Sequence, residues 1–242
     1  MSIDSGRVRI GTSGYQYDHW RGVFYPEDLP KRQWFEHYAR HFDTVEINAS
    51  FYRLPETHTF EAWYRQAPRA FLYALKFSRF GSHIKRLRDP EETIGLFLQH
   101  ASHLGEKLGP VLVQLPPQLK FNPDRLADFL AAAPPEVRWA FEFRSADWFS
   151  EETYGLLETH GAALCIHDML PDHPRRVTTN WTYLRFHGDH YRGSYSPQYL
   201  SAQAQRIRDY RHQGLAVYAY FNNDEAGYAV QNALSLRRYV GA

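Results

Sequence analysis

Eight short apolar runs, separated by longer segments of helical period, constrain this chain more than any other feature. The runs are Val8–Ser13, Thr44–Asn48, Phe71–Ser78, Val111–Leu115, Arg138–Arg144, Ala163–His167, Thr182–His187 and Ala216–Asn222. Apolar residues recur at helical spacing over Gln33–His41, Thr59–Gln66, Glu91–Leu104, Pro123–Ala133, Glu151–His160, Pro197–Gln213 and Ala226–Tyr239. This alternation marks a parallel sheet with helical crossovers. Only the sixth connection, Asp168 to Trp181, lacks a helical period and is rich in Pro and Arg. Asn122-Pro123 and Ser196-Pro197 each pair an N-cap residue with a proline at the first helical position.

Eight such units point to closure into a barrel, and 242 residues lie near the ~250 typical of that fold. We therefore expect residues 1–242 to form one (β/α)8 barrel domain. No Gly-rich dinucleotide loop and no phosphate P-loop follows a strand, which argues against an open doubly wound sheet.

Side chains alternate along a strand, so an aromatic set packed under helices sends the intervening set into the barrel. In Trp139 to Arg144 the aromatics alternate with Ala140, Glu142 and Arg144. The same logic turns Glu46 and Asn48 inward, then Ala74, Lys76 and Ser78, then Tyr183, Arg185 and His187. Gln114, His167 and Asn222 follow from their own strands, and Gly11 and Ser13 complete the ring. Each charged member lies near the C-terminal end of its strand, the face where barrel enzymes place their chemistry. Isolated buried charges cost several kcal/mol, so these groups must pair or reach water. An internal ion network of Glu46, Lys76, Glu142 and Arg185 is the competing explanation.

Loops add to that face. The first connection, Gly14 to Lys31, carries Tyr15, Tyr17, Trp20, Phe24 and Tyr25, and serves either as a lid or as a loop anchored by its own aromatics. Ser50-Phe51-Tyr52-Arg53 follows strand two, and a basic stretch from His83 to Arg88 follows strand three. Basic rim loops suit an anion, and a solvated charge run explains them equally well. Asn222-Asn223-Asp224 closes strand eight, either capping the next helix or binding a ligand.

Composition narrows the partners. The 28 basic and 27 acidic residues leave a net charge of +1, so charge lends no support to a nucleic-acid partner, which favours a basic excess. Cys165 is the single cysteine, which excludes an intrachain disulfide and fits a reducing compartment. No apolar stretch approaches the roughly 18 residues of a membrane span, and Met1 to Arg9 lacks the apolar centre of a signal peptide. A cytoplasmic protein with no membrane partner is expected; the oligomeric state is left open.

Several stretches, in order, carry a resemblance to a known family. They are Ile10-Gly11-Thr12-Ser13-Gly14, Trp20-Arg21-Gly22-Val23-Phe24-Tyr25-Pro26, Val45-Glu46-Ile47-Asn48, Phe51-Tyr52-Arg53, Val113-Gln114-Leu115-Pro116-Pro117, Phe141-Glu142-Phe143-Arg144 and Phe221-Asn222-Asn223-Asp224. Over essentially its whole length the chain resembles the domain of unknown function 72 family, the YecE-like proteins. The resemblance implies a barrel with a site built from these motifs, and no assigned reaction. That family often has a tryptophan where Tyr15 stands here.

The leading reading is an enzyme of hydrolase or isomerase type, acting on a small anionic or sugar-like ligand. Glu46 or Glu142 would serve as acid or base, with Lys76 and Arg185 holding negative charge. Ser13, Tyr15, Asn48, Tyr52, Gln114, Arg144, His167, His187, Asn222, Asn223 and Asp224 are the candidate ligand-binding residues. Two carboxylates across a barrel also suit glycoside hydrolysis. A Lys76 Schiff base is conceivable, though adjacent carboxylates would oppose it by keeping the amine charged. No cofactor is predicted.

A second reading is a divalent-metal enzyme resembling the endonuclease IV or xylose isomerase barrels, with Glu46, Glu142, His167, Asp168 and His187 as ligand types. Lys76, Arg144 and Arg185 would crowd its cation. A third is a non-catalytic module binding single-stranded nucleic acid or a metabolite through aromatics interleaved with Arg.

Overall fold

The computed structural model describes residues 6–188 and 192–241. Eight parallel strands run through it: β1 (Val8–Thr12), β2 (Thr44–Ile47), β3 (Leu72–Lys76), β4 (Leu108–Gln114), β5 (Trp139–Glu142), β6 (Ala163–His167), β7 (Trp181–Phe186) and β8 (Ala216–Phe221). Consecutive strands pair from β2 to β8, and β8 returns to pair with β1. The remaining seam, β1 to β2, closes at the upper rim through a Ser13–Glu46 bridge and a bond from Gly14 N to the Glu46 carbonyl at 2.8 Å. The result is a nearly closed (β/α)8 barrel.

The helices are α1 (Trp34–His41), α2 (Ala49–Tyr52), α3 (Thr57–Gln66), α4 (Pro90–Ala101), α5 (Pro123–Ala132), α6 (Glu151–Thr159), α7 (Pro197–His212) and α8 (Tyr228–Val240). The expected caps form: Asn122 accepts from Arg125 N at 3.0 Å, and Ser196 from Tyr199 N at 3.1 Å. Among the described residues no helix joins β6 to β7, as the sequence predicts. The single helix expected over Glu91–Leu104 instead gives way at Ala101 to a tighter 3-10 segment, Ser102–Lys107, in which Gly105 takes a positive φ of 51°. The four-residue α2 was not foreseen; it is too short to show a period.

The two faces of the strands separate cleanly. Val45, Tyr73, Leu75, Val111, Val113, Phe141, Leu184, Val217 and Ala219 pack outward under the helices. Inside stand Leu72, Ala74, Leu112, Ala140, Cys165, Tyr183, Tyr218 and Tyr220. The lower and middle barrel is therefore filled with apolar and aromatic side chains, while polar groups gather above them. Tyr38 of α1 stitches the open seam, accepting from Thr12 N and donating to the Thr44 carbonyl, each at 3.1 Å. Gly11 belongs to the same close approach: a Cβ there would lie 2.4 Å from the Thr44 carbonyl oxygen.

Candidate active site at the barrel mouth

Strand alternation delivers Glu46, Glu142, Arg185 and His187 to the upper interior, where all four are sealed from solvent. Arg185 joins the two carboxylates, donating through Nη1 to Glu142 Oε2 at 2.6 Å and through Nη2 to Glu46 Oε1 at 2.7 Å. Glu46 also accepts from Ser13 Oγ and from the Tyr183 hydroxyl, each at 2.6 Å. Glu142 accepts from Arg144 Nε and lies 3.8 Å from the Cys165 thiol. Burial alone would raise both carboxyl pKa values. The charge of Arg185 outweighs it, helped by hydrogen bonds at Glu46 and by Arg144 at Glu142, and both stay ionised below the usual range. Three of the four residues proposed for an ion network do form one.

His187 extends this lattice. Its Nε2 lies 3.2 Å from Arg185 Nη1 and 3.3 Å from Arg144 Nη2, both of which are obligate donors. Nε2 must therefore accept, which places the proton of the neutral ring on Nδ1, 3.4 Å from Asp168 Oδ1. Burial and the neighbouring guanidiniums lower the His187 pKa, in keeping with a neutral ring. Asp168 in turn accepts from His187 N at 2.8 Å and from the Tyr195 hydroxyl. His167 closes the β6 end, with Nε2 2.8 Å from the Phe143 carbonyl and Nδ1 accepting from Met169 N at 3.2 Å.

Above the lattice lies a cavity of about 330 Å³ lined by Tyr17, Asn48, Tyr52, Lys76, Gln114 and Asn222. Lys76 sits 4.1 Å above the Phe51 ring. Among the described residues its ammonium meets no hydrogen-bond acceptor and no carboxylate partner. Burial, then the charge of Arg185, pushes its pKa down to about 8 against the opposing pull of Glu142 and Glu46. Asn48 adds a buried Oδ1 with no hydrogen-bond partner among the described residues. Tyr52 stands at the rim, 77% exposed.

Several candidates take other places. Tyr15 turns into the outer core, its ring 5.4 Å from Phe35 and 5.7 Å from Tyr38. Tyr17 enters the mouth instead, its hydroxyl donating to the Ser13 carbonyl at 2.5 Å. Asp224 is committed to the first connection: Trp20 Nε1 donates to its two oxygens at 2.9 and 3.0 Å, and His19 Nε2 lies 2.9 Å away. Asn223 reaches the Gly193 carbonyl at 2.8 Å and Asn232 Oδ1 at 2.9 Å, holding the loop after β7. In the basic stretch, Lys85 is paired with Asp89 at 2.8 Å and Glu92 at 3.4 Å. Neither Glu46 nor Glu142 lines the cavity, and a guanidinium fills the gap where two glycosidase carboxylates would hold a sugar bond.

The metal reading meets the same occupancy. Among the described residues no three His, Cys, Asp or Glu side chains gather as a ligand set. Among those residues also, no helix is long and apolar enough to cross a membrane.

Fold and mouth together define a single (β/α)8 barrel whose upper interior is an ion lattice roofed by a polar cavity. The chain belongs to the family described as protein of unknown function DUF72, whose model matches residues 9–242. It is 26% identical to the UPF0759 protein YunF of Bacillus subtilis, with 93% of this chain and 92% of that protein aligned. A shorter match, 33% identical over 149 residues, relates it to the UPF0759 protein YecE of Escherichia coli, covering 58% of this chain and 54% of that one. A DUF72 family protein from Thermotoga maritima superposes with a TM-score of 0.88 at 29% identity, covering 98% of this chain and all 100% of that one. One from Enterococcus faecalis shares the fold, with a TM-score of 0.82 at 21% identity over 97% of this chain and 96% of that one.

Proposed function

We propose that this barrel is a cytoplasmic enzyme acting on a small anionic, sugar-like ligand held in the cavity at its C-terminal mouth. The observation that carries the reading is Lys76, an interior cation whose charge faces a polar cavity while the carboxylates below are taken by arginine. An anionic group on the ligand neutralises that ammonium. The amides of Asn48, Gln114 and Asn222 supply donors and acceptors for hydroxyl groups, and Tyr17 and Tyr52 wall the ligand in. A volume of about 330 Å³ sits at the lower end of ligand pockets, roughly 300–1,000 Å³, and suits a ligand of sugar size. Glu46, Glu142, Arg144 and Arg185 form the charged floor beneath it, with the neutral ring of His187 beside them.

The test is thermal stabilisation by ribitol 5-phosphate, ribitol and inorganic phosphate. Ribitol 5-phosphate should raise Tm most, since a ligand at 100 times its Kd adds about 2.7 kcal/mol. Asn48→Ala should lose the response to both polyols, and Lys76→Met the preference for the phosphorylated one. No stabilisation of the wild-type chain by any of the three would sink the reading.

A further inference from the structure

Buried lysines normally keep their charge by finding a carboxylate, and among the described residues Lys76 has not. Two interior carboxylates share the upper barrel with it, on β2 and β5, but Arg185 holds both and Arg144 holds one of them again. The objection that adjacent acids would keep the lysine protonated is thereby weakened: their charge is already matched, and two fixed guanidiniums face the amine from β7 and from the end of β5.

We infer that Lys76 is the nucleophile of the mouth, its neutral amine condensing with the aldehyde or ketone carbonyl of a small hydroxylated substrate. The inference rests on the mouth being the ligand site, as proposed above, and narrows the ligand to carbonyl compounds. Position supports it: Lys76 ends β3, opens into the cavity, and is surrounded there by Asn48, Gln114 and Asn222, which can hold the substrate hydroxyls. So does the absence of a competing bond among the described residues, where the amine has no acceptor to give up before it attacks. Lys107 provides the contrast within the same chain. It is equally buried, but its ammonium donates to the Tyr64 and Ala67 carbonyls at 2.5 and 2.6 Å.

The charged and titratable groups around Lys76 are Arg185, Arg144, Glu142 and Glu46, with Tyr17 and Tyr52 on the cavity wall and His83 in edge contact with Phe51. Their balance, after burial, leaves a pKa of about 8. Roughly a tenth of the amine is then free at pH 7, against less than about one part in a thousand for a solvated lysine. An adjacent cation that depresses a lysine in this way is a known means of activating it.

The step balances without a redox partner. The nitrogen lone pair attacks the carbonyl carbon, a C–N bond forms, and the carbonyl π pair moves to oxygen, which takes one amine proton to give a carbinolamine. The C–O bond then breaks as C=N forms. The oxygen leaves as water with the second amine hydrogen, solvent at the mouth relaying the protons.

Reductive trapping tests this on the full chain. The probe is glycolaldehyde with cyanoborohydride, small enough to enter the cavity whatever the natural substrate, followed by peptide mapping over the five lysines of the sequence. At pH 7, Lys76 should be labelled at least about tenfold faster than the exposed Lys31 and Lys120. Its rate should level off above about pH 8 while theirs keep rising. Labelling of Lys76 no faster than those two overturns the inference. Ribitol 5-phosphate, which has no carbonyl, separates the two proposals. Stabilisation by it together with slow Lys76 labelling removes the nucleophile and keeps the ligand site; fast labelling without stabilisation does the reverse.

Discussion

Arg185 donates through Nη2 to Oε1 of Glu46 at 2.7 Å, spanning 139 positions of sequence, and neither side chain reaches solvent. With Glu142 on its other nitrogen, one guanidinium bridges two interior acids, and Arg144 supplies the second positive charge. Pairs of this kind are costly to break from one side, because the remaining charge stays buried.

Arg185→Met should therefore destabilise the barrel by about 3–5 kcal/mol at pH 7. Urea denaturation measures it. A loss under about 1 kcal/mol would mean that the carboxylates relax to solvent and that the lattice is weaker than its geometry.

The wild-type chain should lose stability in acid for the same reason. Glu46 and Glu142 are held below their ordinary value of 4.5. The unfolded chain then binds protons first as pH falls, so their contribution is complete above about pH 4.5 and is lost as pH drops through the folded values. Denaturation midpoints between pH 7 and 3 should decline in wild type and decline less in Glu46→Gln.

Lys76 shifts stability in the same direction, over a higher pH window. Its folded pKa of about 8 lies below the ordinary 10.5, so the unfolded state holds the extra proton and stability rises with pH across that window. At pH 7, Lys76→Met should be more stable than wild type by on the order of 1–3 kcal/mol, an advantage that vanishes near pH 10.5. Equal stabilities at both pH values would show that the ammonium is well hydrated.

The Trp20–Asp224 contact pins the long first connection across the mouth. Asp224→Ala leaves the buried indole N–H without its acceptor, at about 1–3 kcal/mol. Limited proteolysis should then cut within residues 14–31 several times faster than in wild type. Unchanged cleavage would mean that aromatic packing alone fastens this segment.

At the β1–β2 seam, Gly11→Ala would place a methyl 2.4 Å from the Thr44 carbonyl oxygen. The strands must part, at about 1–3 kcal/mol or more. Thermal denaturation should show it, and a Tm within a degree of wild type would argue against a tight seam.

Strand positions and facing were legible because period-two alternation is local: Phe141 and Phe143 outward settles Glu142 inward without knowledge of any partner. Choice of partner was not. Whether Arg185 would pair with Glu46, Glu142 or neither depends on strands far apart in sequence, and Lys76 could be seen as interior without being seen as unpaired. Irregular loops hid more. Nothing periodic separates Tyr15 from Tyr17, yet one fills the outer core and the other enters the mouth. Asp224 looked like a rim ligand because its bond to Trp20 spans 204 positions.

The clasp at Arg185 also bears on how the barrel is made. Glu46 and Glu142 both precede β7 in the chain, and their shared counterion arrives only with that strand, 139 and 43 residues later. A partial barrel lacking β7 would have to dry Glu46 with no counterion and leave Glu142 to Arg144 alone, so it is driven to stay open and wet. Completion of the sheet and expulsion of water from its upper interior thus become one event. Such late, long-range dependence favours slow, all-or-none assembly over accumulation of stable half-barrels.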